Sequence, residues 1–283
     1  MSTVIPTAQA PRKLPVWSTF AKACVLWAKN LPELLRVSWL WLIVYAPVLS
    51  LFWWYSLPHL KTSMQAMLAH HPDPTPIVTN LVNLLSELIL VPMAASIAVA
   101  WHRLLLRSER SPTSTYLRFD RIVIAYAILT FLYLLTAQNS SLLRQMSRFL
   151  AFIIDITVLY LTMRLIVYLP AKAIDRRDIT LALAWRATRD NGWRLVIGHG
   201  LAVFPMVPLI LPLYFWAIGT HGNRAMAAAI GVAFSFSSVI GGMIAVAFLS
   251  LAYRHFFEDS TAQEAWRAAY ASSGNSSTSP TST

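Results

Sequence analysis

The sequence predicts an all-α, polytopic membrane bundle of six transmembrane helices, with two amphipathic helices lying in the membrane interface. Three observations carry that prediction. Of 283 residues, 57% are hydrophobic and 12% are charged, whereas ordinary soluble domains hold about 25% charged and 45–50% apolar residues. A soluble fold of this composition would lack the polar surface to cover itself. The apolar residues also gather in uninterrupted runs parted by charged patches, so their arrangement agrees with their total. No segment alternates apolar and polar residues as the strands of a β-barrel would.

Residues 1–15 read as a flexible arm, 16–258 as one membrane domain and 259–283 as a cytoplasmic tail. The tail is expected to be disordered from about residue 271, where "SSGNSSTSPTST" offers nothing apolar to bury. The first thirty residues are too mixed for a secretory signal, so the first span must serve as its own. Residues 16–35 place Trp17, Phe20, Cys24, Trp27 and Leu31 at steps of three and four, the stripe of a helix lying in the interface. Residues 176–192 are read the same way.

A membrane helix needs about 20 largely apolar residues. Six runs approach or meet that length, at about 37–57, 79–105, 122–137, 149–171, 194–218 and 225–253. The third would reach only about 24 Å at 1.5 Å per residue, so it must extend into its flanks. In the first, Trp39 and Trp41 at one end and Trp53, Trp54 and Tyr55 at the other have the spacing of aromatic belts. Trp185 and Trp193 would mark the inner surface again. The fifth contains Pro205, Pro208 and Pro212, each removing a backbone donor, and must be kinked or locally unwound. In the sixth, Ala227, Gly231 and Ser235, and likewise Ser238 and Gly242, recur every four residues, a face for close helix packing.

The net charge is +11, yet the basic residues flank the apolar runs instead of forming one stripe, so no nucleic-acid partner is expected. With the N-terminus placed inside, 19 of the 23 Lys and Arg residues fall on the cytoplasmic side; only Lys61, Arg144, Arg148 and Arg224 fall outside. That asymmetry sets the orientation, and six spans return the C-terminus to the cytoplasm. Odd-numbered runs open on Arg36, Arg121 and Arg194, and even-numbered runs close on Arg103, Arg164 and Arg254. Three hairpins of one ancestral plan would give this pattern, and so would the positive-inside rule alone.

Two groups of residues are candidate sites. Glu87 in "LLSELIL", Asp155 in "FIIDITV", Arg164 and His199 fall within apolar runs, where charge is costly and demands an explanation. The carboxylates either share a proton or cation or are hydrogen-bonded to neighbours and hold helices together. Arg164 lies close enough to Pro170 to snorkel to the cytoplasmic interface, and the nine residues between it and Asp155 span about 13 Å of helix, which excludes pairing within one helix. His199, between Gly198 and Gly200, is read as donating to a neighbouring carbonyl, with a proton carrier as the alternative. The second group stands at the feet of two runs, "VAWHRLLLRSE" and "LAYRHFFED". There His102, Arg103, Arg254 and His255, with Trp185 and Arg194, form a candidate headgroup site, His102 sitting at headgroup level. The outer loop holds His59, His70, His71, Asp73, Met64 and Met67, but adjacent histidines before Pro-Asp-Pro cannot present a helical pair, so no metal is expected. A lone Cys24 excludes an internal disulfide. There is no phosphate-binding glycine loop, HExxH or GxSxG, hence no catalytic residue and no cofactor is assigned.

At "YLPAKAIDRRDITLALAWRATRDNGWRLVIG", Tyr168 to Gly198, the chain resembles poorly characterised bacterial six-helix inner-membrane proteins. More distantly it resembles the membrane domain fused to some bacterial glycerophosphodiester phosphodiesterases. The shared pattern is a span ending in Leu-Pro-Ala, a polar turn, then a helix with Ala-Trp, Thr and Asn before the next span. With no soluble phosphodiesterase domain here, that activity does not carry over; the resemblance implies residence in a bacterial inner membrane, near lipid. Three functions follow as expectations: a non-enzymatic accessory or scaffold in contact with anionic phospholipids and other membrane proteins, a small transporter using the intramembrane carboxylates, or an intramembrane enzyme.

Overall fold

The computed structural model describes residues 13–68, 77–110, 120–138, 148–219 and 224–258, and among these every regular element is a helix. In chain order they are α1 (Val16–Lys29), α2 (Leu31–Leu68), α3 (Ile77–Arg107), α4 (Arg121–Gln138), α5 (Arg148–Ile166), α6 (Tyr168–Ala173), α7 (Leu181–Ala187), α8 (Gly192–Val203), a 3-10 turn (Phe204–Met206), α9 (Val207–Gly219) and α10 (Arg224–Phe257). All six predicted runs therefore fall in helix. Four helical stretches are long and apolar enough to cross a membrane, Leu31–Tyr55, Leu84–Arg107, Phe152–Ala173 and Ala225–Phe257. The chain is thus a membrane protein with several spans. The other two predicted runs take different forms: α4 is short, and the fifth run is broken.

The break falls where the prolines require it. Pro205 has no N–H to return to the carbonyl of Leu201, and the helix tightens into the 3-10 turn at Phe204–Met206 before α9 begins. Pro208 then occupies the tolerant first turn of α9, and Pro212 remains inside it. Two glycines seat this broken segment on α10. Gly198 lies under the Phe248 ring, Gly241 lies under Met206, and a Cβ at either position would overlap that side chain.

Helix α10 is the hub, packed on α2, α1, α3, α8, α9 and α6. Its predicted small face meets α2: Ala227 and Ser235 are fully buried, and a Cβ on Gly231 would strike the backbone of Ser50 and Leu49. Ser50 Oγ donates to the Ala228 carbonyl at 2.9 Å, a bond that only this close approach permits. Gly242 serves otherwise, since open space lies above it. Ser238 lines a small apolar cleft of about 60 Å³ with Trp41, Met93, Ile97 and Met243.

The two predicted interfacial helices are altered. In α1 the stripe holds in part: Phe20, Cys24 and Trp27 pack on the core, but Thr19 and Ala23 are the buried residues, Trp17 is 70% exposed, and the helix packs on α8 and α10. Small side chains at Thr19 and Ala23 allow that approach, and Trp27 Nε1 donates to the carbonyl of Ile240, halfway along α10, at 2.7 Å. The helix turns at Asn30 straight into α2, whose first turn includes Leu31–Leu35. The second, expected over 176–192, is only the seven-residue α7. Thr180 caps its start by accepting from Leu183 N–H. The residues before it are occupied by a stop signal: Asp175, at φ 56°, closes α6, with Arg176 N–H bonded to Ala171 O and Asp175 N–H to Lys172 O.

Candidate functional site

The end of the bundle where α3, α6 and α10 finish and α1 and α8 start collects the predicted foot residues; it is called the basic end below. His102 is not at the surface but wholly buried. Its Nδ1 lies 2.7 Å from Ser250 Oγ and its Nε2 3.2 Å from the Tyr126 hydroxyl. Ser250 spends its own proton on the Val246 carbonyl at 3.0 Å. One assignment then satisfies every atom: Nδ1–H donates to Ser250, and Tyr126 donates to Nε2. The imidazole is a neutral tie among α3, α4 and α10. Ser250 is 1% and Tyr126 4% exposed, so this Ser–His pair has no open face for a substrate.

The other foot residues part company. Arg103 Nε donates to the Ala173 carbonyl at 2.8 Å, closing the end of α6. Arg254 pairs with Glu258 at 3.4 Å, and the His255 ring meets Phe256 edge-on. Each of the four is engaged by a different partner.

Five exposed or half-exposed arginines have a carboxylate within reach. Arg36 pairs with Glu33, Arg107 with Glu109, Arg176 with Asp178, Arg177 with Asp175 and Arg254 with Glu258. Of these, Arg176 and Asp178 form a two-point fork, at 2.7 Å and 2.5 Å, and its hydrogen bond holds the Asp178 carboxyl below the usual carboxylate range.

Buried arginines behave differently. Arg164 is 9% exposed, and its guanidinium is held by the end of α7. Its Nη2 donates to the Trp185 carbonyl at 2.5 Å, and Nε to Thr188 Oγ1 at 3.4 Å. The guanidinium lies 3.5 Å from the centre of the Trp185 ring and 6.0 Å from that of Tyr160. The last carbonyls of α7 carry the negative end of its dipole, which favours a cation there, and stacking on a desolvated indole contributes about 2 kcal/mol. Thr188, fully buried, gives its proton to Ala184 O at 2.9 Å and so presents only lone pairs to Arg164.

The same turn is gripped from its other side. Asn191 Oδ1 accepts from Leu14 N–H at 2.8 Å, and Arg194 Nη1 donates to Leu14 O at 2.9 Å. Leu14 and Asn191 are both fully buried. Tyr160 stacks on Trp193, with ring centres 5.2 Å apart, and occupies the space that a side chain at Gly192 would need. Arg164, Trp185, Thr188, Asn191, Arg194 and Leu14 thus form one latch that fastens α5, α7, α8 and the start of α1. Sequence reasoning named three of the six; Leu14, Thr188 and Asn191 were missed as site residues, although Asn191-Gly192 before an apolar run is a turn signal.

The intramembrane group is spread over three helices, α3, α5 and α8. Glu87 lies on α3 and Asp155 on α5, helices that each pack on α4. His199 Nδ1 is buried without a hydrogen-bond partner among the described residues. Among the described residues no three His, Cys, Asp or Glu side chains come together as a metal site would require. Arg164 is committed to Trp185 and Thr188, away from Asp155. Of the predicted outer loop, residues up to Leu68 continue α2, while His70, His71 and Asp73 lie outside the described residues.

No protein-family model, no curated protein and no solved structure matches this chain.

Proposed function

We propose that the chain is a six-span bacterial inner-membrane protein, with α4 as the short span and α8–α9 as the broken one and both termini cytoplasmic. In this reading it is a non-enzymatic accessory or scaffold whose basic end engages anionic phospholipid headgroups and, through its exposed apolar helix faces, other membrane proteins. One observation carries the reading. Arg103, Arg164 and Arg194 are held by backbone carbonyls with no carboxylate partner among the described residues, so their positive charge is positioned but not cancelled. Positioned cations at one end of a membrane bundle are what an anionic leaflet attracts. The excess of Lys and Arg flanking the same end supports its cytoplasmic placement.

The test is to purify the full chain in mild detergent from mixed phosphatidylglycerol and phosphatidylethanolamine membranes and measure the lipid that stays bound. Enrichment of phosphatidylglycerol over its bulk share is expected; a retained mixture equal to bulk would overturn the reading. A small transporter is the alternative, and the proline break at Phe204–Met206 is the feature that favours it. It requires the polar groups of α3, α5 and α8 to line one path. Proton or cation flux into liposomes that falls on Glu87→Gln or Asp155→Asn would replace the scaffold reading.

A further inference from the structure

Within the latch, Arg164 has unused capacity. Its Nε and Nη2 are spent on Thr188 and Trp185. Its Nη1 makes no hydrogen bond with the described residues, yet it is absent from the atoms that are sealed in without a partner, so it keeps a path to the outside. The residue is nonetheless more than nine-tenths buried, and no carboxylate among the described residues neutralises it. A guanidinium never gives up its proton, and a buried charge without a counter-ion is costly. The site therefore lacks an anion.

The surroundings say which anion. Trp185 beneath the guanidinium plane and two acceptors along one edge fix its orientation, so the two N–H groups of Nη1 are held in a set plane. Fixed planar donors suit a phosphate oxygen. Arg186, in the last turn of α7, and Arg189, just after it, are exposed and outnumber the nearby Asp190. On α5, Leu161, one turn before Arg164, and Leu165, the next residue, are 41% and 38% exposed, and Trp193, in tilted ring contact with Tyr160, is 56% exposed. A phosphate at Nη1 would have apolar surface directly beside it, as a diacyl lipid requires and a soluble ion does not.

We propose that Arg164 is the anchor of a discrete binding site for the phosphate of an acidic glycerophospholipid, bordered by Trp193 and the exposed leucines of α5. This rests on the reading of the basic end as a headgroup-binding face and assigns that binding to one residue.

The experiment uses the full chain in detergent, titrated with phosphatidylglycerol and followed by native mass spectrometry. The variants are Arg164→Gln and Arg164→Lys, with Arg177→Gln as a control, since Arg177 is highly exposed and paired with Asp175. Arg164→Gln is expected to weaken the tightest phosphatidylglycerol adduct by about tenfold, the loss of one charged hydrogen bond. If that variant does not fold, Arg164→Lys carries the test, because lysine keeps the charge without the planar donors; weakening by about threefold is expected. Arg177→Gln should leave the adduct unchanged, and an equal concentration of inorganic phosphate should not compete. Wild-type preference that survives in both Arg164 variants would overturn this site and leave the headgroup-binding face standing. No preference in the wild type would overturn the face itself, and competition by inorganic phosphate would overturn the lipid assignment.

Discussion

The basic end holds arginines in two conditions. Around its rim, Arg107, Arg176, Arg177 and Arg254 each face a carboxylate from a nearby position in the chain, at most four residues away. Such surface pairs are worth little, about 0–1 kcal/mol each, and they cancel the charge they carry. Further in, Arg103, Arg164 and Arg194 reach across 70, 21 and 180 residues of chain to backbone carbonyls. Carbonyls satisfy the donors and leave the charge intact. The inner set therefore does two things that the rim does not: it ties distant elements together, and it keeps positive potential available to an external anion.

Changes to each set should separate these roles. The largest effect is expected from Arg164→Met, which frees the Trp185 carbonyl and removes the cation from the ring; about 3 kcal/mol should be lost, read as a fall in thermal midpoint in detergent. Asn191→Ala should cost about 1–2 kcal/mol by leaving the buried Leu14 N–H without an acceptor. Its signature is local: hydrogen exchange at Leu14 and cleavage of the N-terminal arm should both rise, and unchanged exchange would show that the arm is held by something else. Thr188→Val should cost about 1 kcal/mol, with the thermal midpoint as readout. Arg177→Gln should change stability by less than about 0.5 kcal/mol, and a larger loss would mean that the rim carries structure.

The smallest expected effect concerns pH. Arg176 lowers the Asp178 pKa, so the fork contributes fully above the unfolded carboxyl value of about 3.9 and is lost as pH falls through the lower folded value. Below about pH 4 the wild type should lose more stability than Asp178→Asn, whose side chain does not titrate. Equal acid sensitivity of the two proteins would remove the fork from the account.

How much of this could be read from the chain depends on what leaves a trace in sequence. The four long apolar helices were legible because about 20 consecutive apolar residues have few other uses, and the helix boundaries of α3 and α4 fall within two residues of the predicted runs. The break at Phe204–Met206 was legible because proline leaves the carbonyl four residues earlier without its helical donor. The close-packing face at Gly231 was legible from the four-residue recurrence of small side chains, though its partner Ser50 was not. The inner arginines were not, for a backbone carbonyl is present at every residue and marks no partner. Nor was the burial of His102: its hydrogen-bond partners, Tyr126 and Ser250, sit 24 and 148 residues away in runs that read simply as apolar. The burial of Thr19 and Ala23 in α1 was hidden because they are small, and small residues decide which face can approach.

Lipid retention by matched variants tests the central contrast most directly. The full chain would be compared with Arg164→Gln and with a combined Arg107→Gln, Arg177→Gln and Arg254→Gln variant, measuring bound phosphatidylglycerol relative to phosphatidylethanolamine. The account predicts that one inner substitution abolishes most of the enrichment while three rim substitutions, whose charges were already paired, leave it within about twofold. Enrichment that follows the rim and ignores Arg164 would contradict it.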